Sequence, residues 1–297
     1  MSHPKIITLS NHHTAKGAKP RLCVLIPFYN DDPSALIHAL SKQASQAIEV
    51  LIYDDGTGNS ELSKQVSASV KNASCPVTLF TAMENRGRSF GRNYLFNSAK
   101  SDWVLFLDAD MMPMSESFLS DYLTLIEHDA ADVIFGGFEV LKEKGDPSRE
   151  LHRIMSLESD CASAEERSRL GPKNVASSNL CVKKTVLIAE GFDNGFNGWG
   201  WEDSEWAARI SKSYRLLHAE IPALHLGLET TDTLLKRFKT SGENYARFTK
   251  AHPDLAKSLP LYNWVQKLKS VPAHKLCLLY TSPSPRDQRG SRMPSSA

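Results

Sequence analysis

The sequence predicts an α/β protein built on a mostly parallel sheet covered by helices on both faces. Three observations lead there. Short apolar runs alternate with amphipathic stretches through the first half of the chain. Each run is continuously apolar, as in strands buried on both faces. Each run also ends in a polar turn rich in Asp or Asn, at the strand ends where open α/β sheets bind their ligands.

Composition agrees with a globular chain: 297 residues, 41% hydrophobic, 23% charged, net charge +1. That length suits one large α/β domain or two small ones. Near-neutral charge gives no support for a nucleic-acid partner. No run approaches the ~18 apolar residues of a membrane-spanning helix. Residues 1–20 are polar, hold His12 and His13, lack the apolar core of a secretory signal, and read as a flexible lead-in. Cys23, Cys75, Cys161, Cys181 and Cys277 show no regular spacing, which fits free thiols in a reducing cytoplasm.

Arg21–Pro27 reads as the first strand, followed by a loop at Phe28–Asp31. Asp32 and Pro33 suit the N-cap and first position of a helix reaching about Gln46. Ile48–Tyr53 is the second strand, ending in Asp54-Asp55-Gly56, and a helix follows from Asn59 to Ala73. Pro76–Thr81 is the third strand, Ser89–Ser98 a helix and Trp103–Leu107 the fourth strand. Right-handed crossovers put the carboxyl ends of these strands on one edge, so Tyr29, Asp55 and Asp108 are expected to converge. The second half is less regular. Ser115–His128 reads as a helix, Val133–Phe138 as a strand, and Gly145–Ser168 as a polar helix or mobile loop. Asn174–Val182 reads as a strand, Lys183–Glu190 as a short helix, Gly191–Gly200 as a loop and Trp201–Ser213 as a helix. Tyr214–His218 reads as a strand, Ala223–Gly227 as a loop, and Thr233–Ala251 and Leu255–Lys269 as outer helices. Residues 277–297 are rich in Ser, Pro and Arg without periodicity, and read as a disordered tail of non-native, read-through character.

Two stretches carry chemistry. The fourth strand runs into Asp108-Ala109-Asp110. Two acids at the end of a buried strand need compensation, and oxygen-ligated Mn²⁺ or Mg²⁺ carrying phosphate supplies it. Arg86, Arg88 and Arg92 stand where they can face a diphosphate or a base. The second stretch is Asn-Gly-Trp-Gly-Trp-Glu-Asp-Ser-Glu-Trp, residues 197–206. Its glycines permit close backbone approach, and Trp199 and Trp201 offer flat faces for sugar rings. Glu202 and Asp203 open a helix, where a carboxylate can serve as general base toward an alcohol. His225, in Leu-His-Leu, is a candidate imidazole ligand that would complete a cation site with Asp110 and two phosphate oxygens.

In order and spacing, Pro27-Phe28-Tyr29-Asn30, Asp54-Asp55-Gly56, Asn85-Arg86-Gly87, Arg92-Asn93 and Asp108-Ala109-Asp110 resemble the inverting family 2 glycosyltransferases of GT-A fold. Residues 198–203 resemble the Trp-Gly-x-Glu-Asp motif of chondroitin-type polymerases and β-1,4-galactosyltransferases. The resemblance covers about residues 21–230, with a nucleotide-binding half at 21–113, an acceptor-binding half at 114–230, and a helical extension at 231–276. It implies a metal-dependent, inverting transfer from a UDP-sugar to a saccharide or glycolipid hydroxyl. Asp203 would be the base and Glu202 would orient the acceptor beside Trp199 and Trp201. Pro27, Tyr29, Asp55, Arg88 and Asp108 would bind the nucleotide-sugar, and Asp110 and His225 would hold Mn²⁺ or Mg²⁺. It further implies a cytoplasmic enzyme of polysaccharide biosynthesis, with room for peripheral attachment to the inner face of the membrane. The alternative is a non-catalytic sugar-binding module that keeps the fold.

Overall fold

The computed structural model describes residues 6–14, 19–45, 47–193, 195–196 and 199–269, the side chains of Arg88 and Ser89 excepted. The chain begins with β1 (Ile6–Ser10) and β2 (Leu22–Phe28), then α1 (Ser34–Gln43), β3 (Ile48–Asp54), α2 (Ser60–Asn72), β4 (Val77–Ala82), α3 (Arg88–Ser98) and β5 (Trp103–Leu107). There follow β6 (Met111–Pro113), α4 (Phe118–Glu127), β7 (Val133–Phe135), β8 (Phe138–Glu139), α5 (Glu150–Ser159), α6 (Ala164–Leu170) and β9 (Asn179–Lys183). The remainder is α7 (Lys184–Ala189), α8 (Glu202–Ile210), β10 (Leu216–His218), β11 (Ala223–His225), α9 (Thr231–Thr240), α10 (Gly242–Ala251), α11 (Pro253–Ala256) and α12 (Pro260–Lys269).

Eight strands form the main sheet in the order β1-β4-β3-β2-β5-β9-β7-β10. β4, β3, β2 and β5 run parallel. β1 is antiparallel to β4, and β9 is antiparallel to both β5 and β7. The reason the core strands carry no polar face is visible in β2. Leu22, Val24 and Ile26 pack on one side with Leu36 and Leu40 of α1, while Cys23 and Leu25 pack on the other with Leu95 of α3. The chain leaves β2 for β3 and β4, then returns through α3 to β5 on the opposite side of β2. This reversal opens a crevice beyond the carboxyl ends of β2 and β5, which are followed by Tyr29 and Asp108. Beyond it lies a second, three-stranded sheet in the order β6-β11-β8.

Several elements differ from the sequence reading. The lead-in holds a strand, β1, paired from Ile6↔Ala82 to Ser10↔Thr78 along the outer edge of β4. As an edge strand it is only partly buried and lacks a continuous apolar run. Asn11 locks it down, donating to the carbonyls of Ala73 and Cys75 and accepting from Val77 N–H. At α1 it is Pro33, not Asp32, that occupies the cap position, while the Asp32 carboxylate accepts from Ser34 N–H at 2.9 Å. The strand expected at Val133–Phe138 breaks at Gly136-Gly137. A Cβ at Gly136 would lie 2.2 Å from the Tyr122 hydroxyl, and Gly137 has φ +80°, so the chain leaves the main sheet there and joins the small one. The strand expected over Asn174–Val182 is confined to β9, and Pro172–Asn174 forms a 3-10 turn. The loop expected at Ala223–Gly227 begins with a strand, β11. Each of the two outer helices is split in two.

The chain divides into two compact units, Met1–Arg247 and Phe248–Ala297. The tail read as disordered lies outside the described residues. Cys23, Cys75, Cys161 and Cys181 are free thiols, and burial raises the pKa of each; Cys277 lies outside the described residues. Among the described residues, no helix is long and apolar enough to cross a membrane.

Candidate active site

A cleft of about 640 Å³ opens at the switch point of the sheet. The first half of the chain lines it with Pro27, Tyr29, Tyr53, Asp55, Asp108 and Asp110, and the second half with His152, Ser156, Asp160, Trp199, His225 and Arg237, among others.

Strand register brings Asp110 and His225 together across 115 residues of sequence. β6 begins directly after Asp110, and β11 pairs antiparallel with it so that His225 stands opposite Met111. Leu226 N–H then donates to the Asp110 carbonyl at 2.9 Å. The His225 Nε2 lies 3.3 Å from Asp110 Oδ2. His225 Nδ1 is buried and makes no hydrogen bond. Gly227 completes the cradle, since a Cβ there would sit 1.8 Å from Asp110 Oδ2. Among the described residues, no group of three or more His, Cys, Asp or Glu side chains could hold a metal ion. Asp110 and His225 are one carboxylate and one imidazole that could serve a cation whose other positions were filled by a ligand's oxygens. That donor set fits Mn²⁺ or Mg²⁺ on a diphosphate.

Asp108 is held differently. Arg92 of α3, which is buried, donates through Nη2 to Asp108 Oδ1 at 3.2 Å, so one of the two acids carries its own counter-charge. The Asp108 N–H donates to the Ser178 carbonyl. Asp55 is buried, and its two oxygens accept from Arg86 N–H and Gly87 N–H, each at 2.8 Å. It thus anchors the loop between β4 and α3. The close fit of this loop requires Gly56, with φ +74° and space for no Cβ, which would lie 2.5 Å from Glu84 backbone. Beside it the Tyr53 ring packs on Gly91 of α3. Burial and the nearby Asp55 push the Tyr53 phenol up to about 12. Pro27 closes the end of β2 beside the exposed Tyr29. Arg88 opens α3, but its side chain lies outside the described residues.

The Trp-Gly-x-Glu-Asp stretch distributes its residues. Residues 197 and 198 lie outside the described residues. Trp199 lines the cleft, edge-on to Phe238 with Arg237 over its ring. Trp201 instead packs against Tyr245 and takes φ +74° at the start of α8, a left-handed conformation costly for a bulky residue. Trp206 is wholly buried and donates to the Glu190 carbonyl, so it belongs to the core. Glu202 and Asp203 occupy the first turn of α8 and are not among the lining residues. Asp203 Oδ2 accepts from Ser177 N–H at 2.8 Å and from its hydroxyl at 3.0 Å. The neighbours of Ser177, Ala176 and Ser178, do line the cleft. Asp203 Oδ1 is buried without a hydrogen-bond partner.

The sequence reading missed the contribution of α5. His152, Ser156 and Asp160 line the cleft from one side of this helix and its end. Their spacing of four was the available signal, hidden in a segment too polar to call core. Burial, helped by nearby His225 and Arg237, lowers the His152 imidazole to about 4.

The S. aureus TarS fragment 1–349 superposes with TM-score 0.54 at 16% identity, over 80% of this chain and 64% of that one. The same fragment was solved with UDP. The mannosyltransferase PcManGT of Pyrobaculum calidifontis, solved with GDP-Man and Mn²⁺, gives TM-score 0.50 at 17% identity, over 89% of this chain and 79% of that one. The fold is thus the GT-A fold of glycosyltransferases. Residues 23–181 match the model of glycosyl transferase family 2, and the chain belongs to that family. An uncharacterized glycosyltransferase of Haemophilus influenzae is 35% identical over 97 residues, 32% of this chain and 31% of that protein. The undecaprenyl-phosphate 4-deoxy-4-formamido-L-arabinose transferase of Serratia proteamaculans is 27% identical over 123 residues, 38% of this chain and 36% of that protein. The chain spans about a third of the length of the curated relatives it matches.

Proposed function

We propose that the protein transfers a sugar, with inversion, from a UDP-sugar to a hydroxyl of a saccharide or glycolipid acceptor. The observation that carries this reading is the convergence of Asp110 and His225 within 3.3 Å in the cleft that also holds Tyr29, Asp55 and Asp108. Asp55 and the loop it anchors would face the base, with Pro27 and Tyr29 beside it and Arg88 reaching the nucleotide. Asp108, fixed by Arg92, would take the ribose. Asp110 and His225 would hold Mn²⁺ or Mg²⁺, which offsets charge on the departing diphosphate. Trp199 would stack on the acceptor, with Trp201 behind it and Glu202 orienting it. Asp203 would accept the acceptor's proton. Its bare Oδ1 supports that role, because a buried acceptor without a partner costs about 1–3 kcal/mol until one arrives. The alternative reading is a sugar-binding module without catalysis.

The test is UDP release from a panel of UDP-sugars, with Mn²⁺ and with EDTA. Turnover that requires the cation and vanishes in Asp110→Ala is expected. Full activity in EDTA would refute the metal assignment. UDP binding without turnover under any condition would leave the binding module standing.

A further inference from the structure

The α5 stripe has no part in the roles assigned above. His152, Ser156 and Asp160 recur every four residues, so they share one side of the helix and span about 12 Å along it. The stripe is fixed relative to the cation site by the segment that follows Gly227. Glu229 N–H donates to His152 Nδ1 at 2.8 Å, Arg149 donates to the Leu228 carbonyl, and Thr231 donates to the Ser148 carbonyl at 3.1 Å. The His152 and His225 rings meet edge-on, with centroids 5.7 Å apart.

The chemistry of the stripe is specific. Because His152 Nδ1 accepts a backbone N–H, the neutral ring carries its proton on Nε2 and presents a donor. The Ser156 hydroxyl lines the cleft beside the Asp160 carboxylate and helps hold its pKa down against the effect of burial. The Asp160 carboxylate accepts from the Ser159 hydroxyl at 2.8 Å. Arg237 and Arg149, which line the same cleft, are matched by Glu229 and Asp146. A donor, a hydroxyl and an acceptor in one row complement the hydroxyls of a sugar ring.

Position decides which sugar. In a nucleotide-sugar the diphosphate separates the nucleoside from the transferred ring. Tyr29 and Asp55 belong to the strand ends of the first half, whereas α5 stands against His225. We propose that His152, Ser156 and Asp160 form the subsite that reads the hydroxyls of the transferred sugar, and that this sugar is neutral, since a uronate would meet Asp160 as a like charge. This rests on the nucleotide-sugar reading above and names the sugar class it leaves open.

The test is calorimetric titration, in Mn²⁺, of UDP, UDP-glucose, UDP-galactose, UDP-N-acetylglucosamine and UDP-glucuronate. For the wild type, at least one neutral UDP-sugar should bind more tightly than UDP-glucuronate. Ser156→Ala and Asp160→Asn should each weaken that neutral UDP-sugar about tenfold, the scale of one lost hydrogen bond, while UDP itself binds as before. Thermal melts identify a variant that fails to fold, in which case the other variant carries the test. Unchanged affinity for the neutral UDP-sugar, equal weakening toward UDP, or a wild-type preference for UDP-glucuronate would each overturn the subsite. A wild type that binds none of the five ligands would instead overturn the nucleotide-sugar reading itself, and the subsite with it.

Discussion

Asp203 has one oxygen bound and one bare, and the difference makes its role measurable. Oδ2 holds the Ser177 backbone and hydroxyl, a task that Asn can perform in part through its carbonyl oxygen. Oδ1 has no partner, and only a carboxylate there can take a proton. If Asp203 is the proposed base, Asp203→Asn is expected to lower kcat by about 10²–10⁴-fold, the usual scale for a lost general base, with UDP affinity unchanged because the proposed nucleotide contacts lie elsewhere. Wild-type turnover in this variant would reduce Asp203 to a support for Ser177.

At the scale of elements, short strands do the positioning. β6 and β11 are three residues each, yet their register sets Asp110 beside His225. A one-residue slip would turn His225 to the other face. The neighbouring strand β10 ends in His218, which is 8% exposed and whose ring nitrogens make no hydrogen bond of acceptable geometry. Burial, with Arg167 nearby, lowers its pKa from 6.5 to about 4. As pH falls, the unfolded chain therefore takes up this proton first. Stability is full above about pH 6.5 and declines toward pH 4, by up to about 3 kcal/mol from this one residue. His152 acts in the same window with the same sign. His218→Phe should flatten the acid limb of a denaturant-midpoint series by roughly that amount, and an unaltered limb would contradict the assignment.

At the scale of the whole molecule, the sheet ends in an edge that must be covered. β1 lies along β4, and Asn11 clamps its end to the turn before that strand. Removing residues 1–10 would expose the β4 edge as a template for association. The truncated chain is expected to lose on the order of 2 kcal/mol, from cross-strand pairs and hydrogen bonds worth about 0.2–1.5 kcal/mol each. It should also elute as larger species at high concentration. An unchanged denaturation midpoint with monomeric elution would show that β1 is dispensable.

The sequence by itself determined the class of fold and the acids at its strand ends. Strands buried on both faces are written as continuous apolar runs, and β2, β3 and β5 are legible for that reason. Parallel crossovers then dictate where their carboxyl ends lie. The motif from Asp108 to Asp110 and the segment from Trp199 to Asp203 were legible for the same local reason, since their residue types are unusual where they stand. Tertiary structure alone decided how those residues are held. Arg92 was visible, but its pairing with Asp108 depends on the packing of α3. His225 read as a loop residue because a three-residue strand has too few side chains to show a period. β1 read as a lead-in because an edge strand needs little apolar burial. The face of α5 was silent because a polar stripe toward a cleft looks, in sequence, like a polar stripe toward water.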